Sequence, residues 1–153
     1  KISTATRRTT TAALECKEKY GTTAAALELE DGTIITAHSS QLLGCSAALL
    51  LNVTKHLAGI DHDVKLIPQS MIEPIQKMKV DYLGGNNPRL HTDEVLVALA
   101  VVSENDENCR KALAKLPELR GCQVHCTVMM SEVDQKIFKK LGVNVTCEPV
   151  RKK

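Results

Sequence analysis

The sequence of 153 residues predicts an α/β domain, a three-layer α-β-α sandwich around a mixed β-sheet with an inserted helical segment. Two apolar runs joined by a tight-turn signal predict an antiparallel hairpin, and a helix that is apolar nearly all round follows them. Near the end of the chain, a strand, a helix and a second strand predict a parallel pair, because such crossovers connect parallel neighbours. One sheet that holds both kinds of pair is mixed, and helices must cover its faces.

The first half of the chain predicts a helix, the hairpin and the buried helix, in that order. Ser3 or Thr4 caps a helix that ends near residue 20, where Gly21 favours a stop. Apolar runs over residues 23–30 and 33–38 flank a two-residue Asp-Gly turn, whose glycine tolerates a positive φ. The helix over residues 42–57 must be buried on most sides, since no face of it is polar.

Capping residues mark the elements of the second half. Ser70 and Glu73 have capping-box spacing, and Asp106 and Ser131 each precede a helical pattern. The predicted elements are helices over residues 70–83, from 92 or 93 to 102, 107–116 and 132–141 and strands over residues 122–129 and 143–147. We find no linker and no repeat, so we expect residues 1–153 to form a single domain. Because the chain begins with Lys1, we expect it to be the C-terminal part of a longer protein.

The composition excludes several classes of partner. The formal net charge is only +2, so we expect no basic surface for nucleic acid. Aromatic residues make up 2% of the chain, so we expect no rings on which bases could stack. No apolar run is long enough to cross a bilayer, and no signal-peptide pattern opens the chain. The six cysteines lie inside apolar or helical runs, which is typical of buried thiols in a reducing cytoplasm.

The first candidate site is the polar loop over residues 87–94, which precedes an apolar helix. Arg89, with Asn87 beside it, could bind a carboxylate or phosphate in bidentate fashion. His91 could move a proton near neutral pH, with Asp93 or Glu94 to orient it, and these three are the catalytic candidates. The alternative interpretation is structural: Asn-Pro makes a turn, Thr92 caps the helix, and acids favour its first turn.

The second candidate site combines two predicted helix starts. Arg7 and Arg8 lie in the first helix, and Ser39 and Ser40 precede the buried helix. If these starts converge, their free N–H groups and side chains would form a pocket for an anionic ligand. In the alternative interpretation the serines only cap a helix and the arginines reach solvent or a neighbouring subunit.

A cluster of Cys122, His125 and Cys126 is the third candidate, and we expect no metal there. In a strand the two cysteines share one face about 13 Å apart, while the histidine points to the other face. A zinc ion needs its ligands within about 2.0–2.3 Å of the metal, which this spacing cannot supply.

Three stretches resemble one family: residues 2–10 (Ile-Ser-Thr-Ala-Thr-Arg-Arg-Thr-Thr), residues 87–94 with the following helix, and residues 119–125 together with the ending over residues 142–149. The chain resembles the C-terminal domain of an uncharacterised bacterial protein family, the domain of unknown function numbered eighteen-forty-six, over nearly its whole length. The resemblance implies a cytoplasmic protein whose N-terminal part is similar to nucleotide-binding α/β proteins. It implies that this domain holds no cofactor and that the full-length protein binds ATP or another nucleotide. It implies no assigned reaction.

At the level of fold, the first helix, the hairpin and the buried helix also resemble the cytidine-deaminase-like superfamily. The zinc deaminases of that superfamily need His or Cys and then Ala-Glu where the buried helix starts, whereas this chain has Gly44, Cys45, Ser46 and Ala47 there. The matching Pro-Cys-x-x-Cys is also absent. Without the glutamate there is no general acid or base beside a metal, so the resemblance implies the fold and not the chemistry.

These observations lead to two functional hypotheses. In the first, the domain binds a small anionic or nucleotide-like ligand together with the missing N-terminal domain, and the sequence leaves open whether it is also catalytic. In the second, the domain is a structural module without a ligand, and the apolar helices over residues 42–57 and 95–102 pack against other domains or subunits, as in a homo-oligomer.

Overall fold

The computed structural model describes residues 4–148, with side chains from residue 7 onward, and it confirms the α/β class. The helices are α1 (Thr4–Tyr20), α2 (Cys45–Leu57), α3 (Gln69–Lys77), α4 (Thr92–Val102), α5 (Glu107–Leu113) and α6 (Glu132–Lys140). The strands are β1 (Ala24–Glu28), β2 (Ile34–His38), β3 (Gln123–Cys126) and β4 (Asn144–Cys147). A π-helical turn (Met78–Tyr82) directly follows α3, and a 3-10 turn (Leu116–Leu119) precedes β3.

The four strands form one mixed sheet in the order β2-β1-β3-β4. Strand β1 is antiparallel to both neighbours, pairing Ala26 with Thr36 of β2 and with His125 of β3. Strands β3 and β4 are parallel and are connected through α6, as predicted. The mixed sheet is therefore confirmed.

Helices cover both faces of this sheet. In β1, Ala25 and Leu27 are fully buried in a cluster that contains Leu49 of α2 and Phe138 of α6. Ala24 and Ala26 are also fully buried but lie outside that cluster, because side chains of a strand alternate between faces. They lie beneath α1, which contacts β1, β2 and β3. The described residues thus form the expected three layers.

The segment between α2 and β3 packs on the outer side of α2. A second apolar cluster joins Leu51 of α2 to Ile72 of α3, Leu99 of α4 and Cys109 of α5. Helix α2 is therefore buried against the sheet on one side and against the inserted helices on the other. This arrangement explains why the sequence of α2 has no polar face.

Two local predictions are wrong. The hairpin turn has three residues instead of two: Leu29 N–H donates to Thr33 O, and Gly32 has a φ of 90°, which matches a turn followed by a left-handed glycine. The Ser70 capping box is absent, because α3 already begins at Gln69 behind Pro68, whose fixed φ suits a helix start.

The remaining boundaries are close to the predicted ones. Helix α2 begins three residues later than predicted, because Leu43 instead forms a β-bridge with Leu90. Asp106 and Ser131 cap α5 and α6, since their side chains accept the N–H groups of Cys109 and Asp134. No helix within residues 4–148 combines the length and the apolar character that a membrane span requires.

Candidate functional site

A pocket of about 560 Å³ lies where α2, α4 and α6 begin. Such a volume fits a small metabolite. The residues that line it are Gly44, Cys45, Ser46, Asn87, Arg89, Leu90, His91, Cys126, Val128, Met129, Met130, Ser131, Glu132, Asp134 and Gln135. The starts of three helices therefore face one cavity, and the predicted residues Asn87, Arg89 and His91 all line it.

Backbone pairing holds the loop before α4 against the segment before α2. Leu90 N–H donates to Leu42 O at 3.0 Å, and Gly44 N–H donates to Leu90 O at 3.2 Å. Asn87 Oδ1 accepts the N–H of Arg89, which turns the chain toward the bridge. Arg89 Nε donates to Ser40 O at 2.5 Å, and its two terminal nitrogens have no acceptor within residues 4–148. The guanidinium is thus anchored at one nitrogen and can still bind an anion with the other two.

Lys79, which the sequence analysis missed, organises the same loop from the π-helical turn. Its Nζ donates to Arg89 O at 2.6 Å and to Glu94 Oε1 at 2.8 Å. The side chain is only 13% exposed, so this ion pair is shielded from solvent. From the sequence alone, Lys79 is expected on the surface of a regular helix, because a π-helical turn has no periodic sequence pattern of its own.

His91 and Glu94 form a close pair at the start of α4. The backbone N–H of His91 donates to Glu94 Oε1 at 2.8 Å, and His91 Nδ1 lies 3.4 Å from the same oxygen. Burial raises the pKa of the Glu94 carboxyl, but the His91 N–H and Lys79 outweigh it, so the pKa is lowered overall. Asp93 is exposed and accepts the N–H of Glu94, so it does not orient His91. Of the three catalytic candidates, only His91 lines the pocket.

Asp134 is a second residue that the sequence analysis missed. Its Oδ1 accepts both the N–H of Thr92 at 2.9 Å and the Thr92 hydroxyl at 2.6 Å. This buried carboxylate of α6 satisfies the first N–H of α4 and holds the two helix starts together. Thr92 is the first residue of α4, one of the two predicted starts, and His91 takes the N-cap position that the structural interpretation of the loop gave to Thr92.

Ser46 is the third missed residue, and its hydroxyl is available to a ligand. The residue is 4% exposed and lines the pocket, yet its Oγ has no hydrogen-bond partner within residues 4–148. Its backbone N–H belongs to the first turn of α2 and also has no acceptor among those residues. Ser46 Oγ is not one of the fully buried unpaired polar atoms of the described residues, so it is open to the pocket.

Ser39 and Ser40 serve the backbone and do not line this pocket. The buried Ser39 Oγ contacts Thr23 Oγ1 at 2.5 Å and accepts the N–H of Cys45 at 3.0 Å, which caps α2. Ser40 Oγ accepts the N–H groups of Leu42 and Leu43. Ser40 lines a second cavity of about 450 Å³ between α1, β2 and α2.

Arg7 and Arg8 lie at the far end of the sheet from the serines, so the two helix starts do not converge on one pocket. Arg8 bonds Glu28 and Gly32 at the hairpin turn, and Arg7 is exposed. Tyr20, at the other end of α1, stacks on His38, which is next to Ser39. The twelve residues from Arg8 to Tyr20 span about 18 Å of helix, which separates the arginines from the serines.

The residues of the third candidate lie on opposite faces of the sheet. Cys122 and Cys126 belong to the cluster beneath α2, whereas His125 pairs in register with Ala26 on the α1 side. His125 is buried, with Nδ1 at 2.6 Å from Thr146 Oγ1 and Nε2 at 2.7 Å from Glu148 Oε2. Residues 4–148 contain no group of three or more His, Cys, Asp or Glu that could hold a metal ion.

Comparison with known proteins gives one consistent family. A model described as "Domain of unknown function DUF1846, C-terminal" matches residues 5–153. A UPF0371 protein of Corynebacterium urealyticum is 56% identical over 147 residues, which cover 96% of this chain and 30% of that protein. A UPF0371 protein of Streptococcus thermophilus is 43% identical over 143 residues, which cover 94% of this chain and 29% of that protein. The chain thus spans less than a third of the length of these relatives.

Proposed function

This chain belongs to the family of C-terminal DUF1846 domains, and from its pocket we propose that the domain binds a small anionic ligand between the starts of α2, α4 and α6. The ligand class is a nucleotide or another phosphorylated metabolite. Helix starts present unpaired N–H groups and the positive end of the helix dipole, and both favour an anion.

The observation that carries this proposal is the unpartnered hydroxyl of Ser46. This hydroxyl is open to the pocket, so a bound acceptor can take its hydrogen bond without displacing a protein partner. Ser46 Oγ and its N–H can both donate to one phosphate or carboxylate oxygen at the start of α2. The terminal nitrogens of Arg89, which lines the same pocket, supply the matching charge.

The acidic residues of the pocket limit where the anion binds. Glu132 and Asp134 line the side formed by α6, and a carboxylate there repels a negative ligand. The anionic group therefore belongs near α2 and Arg89, and the uncharged part of the ligand belongs near α6. His91 lies at the pocket wall and is the group that would exchange a proton with the ligand.

The relatives are more than three times as long as the part that matches this chain. We propose that their additional part completes the pocket, that it binds ATP or another nucleotide, and that the whole protein acts in the cytoplasm. The strand order and the buried α2 also support a cytidine-deaminase-like fold for this domain. That likeness concerns the architecture, because Ser46 and Ala47 stand where a zinc deaminase needs Ala-Glu.

A second function, as an interaction module, is favoured by the outer face of α4. Val97 is 65% exposed and Val101 is 58% exposed, one helical turn apart. β-Branched apolar residues on the exposed face of a helix are typical of a surface that packs against another domain or a second copy. This surface lies on the same helix as His91, so both functions can coexist.

The test is ligand-induced thermal stabilisation of the full-length protein with inorganic phosphate and with ATP as probes. Ser46→Ala should leave the melting temperature of the free protein unchanged, because the hydroxyl has no partner to lose. It should weaken binding by about 10-fold or more, the usual cost of a hydrogen bond to a charged group. Arg89→Ala should weaken binding at least as much.

Arg7→Ala is the matched control, since it removes the same charge from the far end of the sheet. It should leave the response to both probes intact. Wild-type protein that shows no response to either probe, or an unchanged response in both Ser46→Ala and Arg89→Ala, would exclude an anion site in this pocket.

A further inference from the structure

Two thiols meet at the floor of the pocket. Cys45 is the first residue of α2 and Cys126 is the last residue of β3, and both line the cavity. Their sulfur atoms lie 3.6 Å apart. The two residues are 4% and 1% exposed, so the pocket is the route by which a small reagent reaches them.

We propose that Cys45 and Cys126 are a redox modification site, at which a hydroperoxide that enters the pocket converts the thiol pair into a disulfide. The bond follows from the contact between the sulfurs and does not require an anionic ligand. Its consequence for ligand binding rests on the proposed function above.

The environment of the pair distinguishes the roles of the two sulfurs. The hydrogen bond to Cys45 and burial raise the pKa of Cys126, which favours its thiol form. Cys45 is the first residue of α2, where the helix dipole stabilises a thiolate. Cys45 is therefore the attacking group and Cys126 the resolving group.

The reaction has two balanced steps. The Cys45 thiolate attacks one peroxide oxygen, the O–O bond breaks, and the leaving alkoxide or hydroxide takes up a proton as alcohol or water, which leaves a sulfenic acid on Cys45. Cys126 sulfur then attacks Cys45 sulfur, the S–O bond breaks, and the oxygen leaves as water with the thiol proton. The peroxide is reduced by two electrons and the thiol pair is oxidised by two.

The other cysteines are less suited to this reaction. Cys147 is the register partner of Cys126 in β4, but its sulfur accepts the N–H of Met130. Burial raises the pKa of Cys109 to about 11, and its sulfur donates to Leu66 O in the second apolar cluster. The sulfurs of Cys45 and Cys126, by contrast, are already in contact at 3.6 Å.

Closing the disulfide changes the pocket. The sulfurs must approach from 3.6 Å to about 2.05 Å. This movement draws the start of α2, where Ser46 directly follows Cys45, toward β3. The N–H and hydroxyl that would bind the anion then move with it, so the oxidised protein should bind phosphate more weakly than the reduced protein.

The first experiment maps disulfides in the full-length protein after exposure to hydrogen peroxide. Peptide mass spectrometry under non-reducing conditions should show a Cys45–Cys126 cross-link, with a mass lower by two hydrogen atoms, that dithiothreitol reverses. In Cys126→Ser, a dimedone adduct should accumulate on Cys45. Cys109→Ser is the control and should form the cross-link like wild type. No cross-link in wild type, or a Cys126–Cys147 link in its place, would overturn the proposal.

The second measurement compares the phosphate-induced rise in melting temperature of reduced and oxidised wild type. We expect the rise to be several-fold smaller after oxidation. If the cross-link forms but phosphate does not raise the melting temperature of the reduced protein, the anion-site proposal is wrong and the thiol-site proposal holds. If reduced protein responds to phosphate and no cross-link forms, the thiol site fails and the anion site stands.

Discussion

At the scale of single residues, the pocket depends on contacts between residues that are distant in sequence. The loop over residues 87–91 was recognisable because Arg89 and His91 have no role in a simple turn. Lys79, Ser46 and Asp134 were not recognisable, since each looks like an ordinary helix residue. Their roles come from partners 15 residues away for Lys79 with Glu94 and 42 residues away for Asp134 with Thr92.

Glu94 gives a prediction at this scale. Its folded-state pKa is lowered from 4.5, so its ionised form stabilises the fold above that pH, and the contribution is lost as pH falls through the folded value. Glu94→Gln should therefore reduce the free energy of unfolding by about 1–2 kcal/mol at neutral pH, because Lys79 loses its counter-charge. Urea unfolding should show that the difference from wild type disappears in acid.

Glu107→Gln is the control for this experiment. Glu107 forms an ion pair with Arg110, but the Glu107 side chain is 65% exposed. Glu107→Gln should therefore change the stability little at any pH. A difference in the free energy of unfolding between Glu94→Gln and wild type that persists at pH values below the folded-state pKa of Glu94 would contradict the ion pair with Lys79.

At the scale of elements, capping residues close to their helix were predictable and a distant cap was not. Asp106 and Ser131 stand directly before α5 and α6, and the structure confirms both caps. Ser39 caps α2 from six residues upstream, because the chain between them folds back to form the bridge to Leu90. Spacing rules describe contiguous turns, so they miss a cap that a loop brings back.

Ser39 and Ser40 give a matched pair of substitutions. Ser39→Ala leaves the N–H of Cys45 without its acceptor and the Thr23 hydroxyl without its partner, and it should destabilise the protein by about 1–2 kcal/mol. Ser40→Ala removes only exposed contacts and should stay within about 0.5 kcal/mol of wild type. Thermal or urea unfolding that gives equal effects for the two would show that Ser39 does not cap α2.

At the scale of the whole molecule, α2 links two apolar clusters. The cluster on the sheet side includes Phe138 of α6, which is fully buried, and the cluster on the outer side belongs to the inserted helices. Packing on both sides keeps the start of α2 in place between the starts of α4 and α6. The geometry of the pocket is therefore a property of the entire core.

Phe138→Ala tests this dependence. Removing a buried phenyl ring should cost about 3–5 kcal/mol, through lost transfer free energy and the cavity left behind. At about 2–4 °C per kcal/mol, the melting temperature should fall by roughly 6–20 °C. Val133→Ala on the exposed side of the same helix is the control and should fall within about 0.5 kcal/mol of wild type. Similar losses in both variants would place Phe138 outside the core.

The sequence by itself determined the α/β class, the six helices and four strands of the described chain, and the polar character of the loop over residues 87–94. These features follow from hydrophobic periodicity and from turn and cap residues, which act over a few positions. Only the tertiary structure decided that Asn87, Arg89 and His91 face Ser46 and Asp134, and that Arg7 and Arg8 do not. That choice depends on the antiparallel pairing of β1 with β3, about a hundred residues apart, and on the packing of the inserted helices against α2. Contacts at such separations leave no periodic trace in the sequence, because they depend on how complete surfaces fit together.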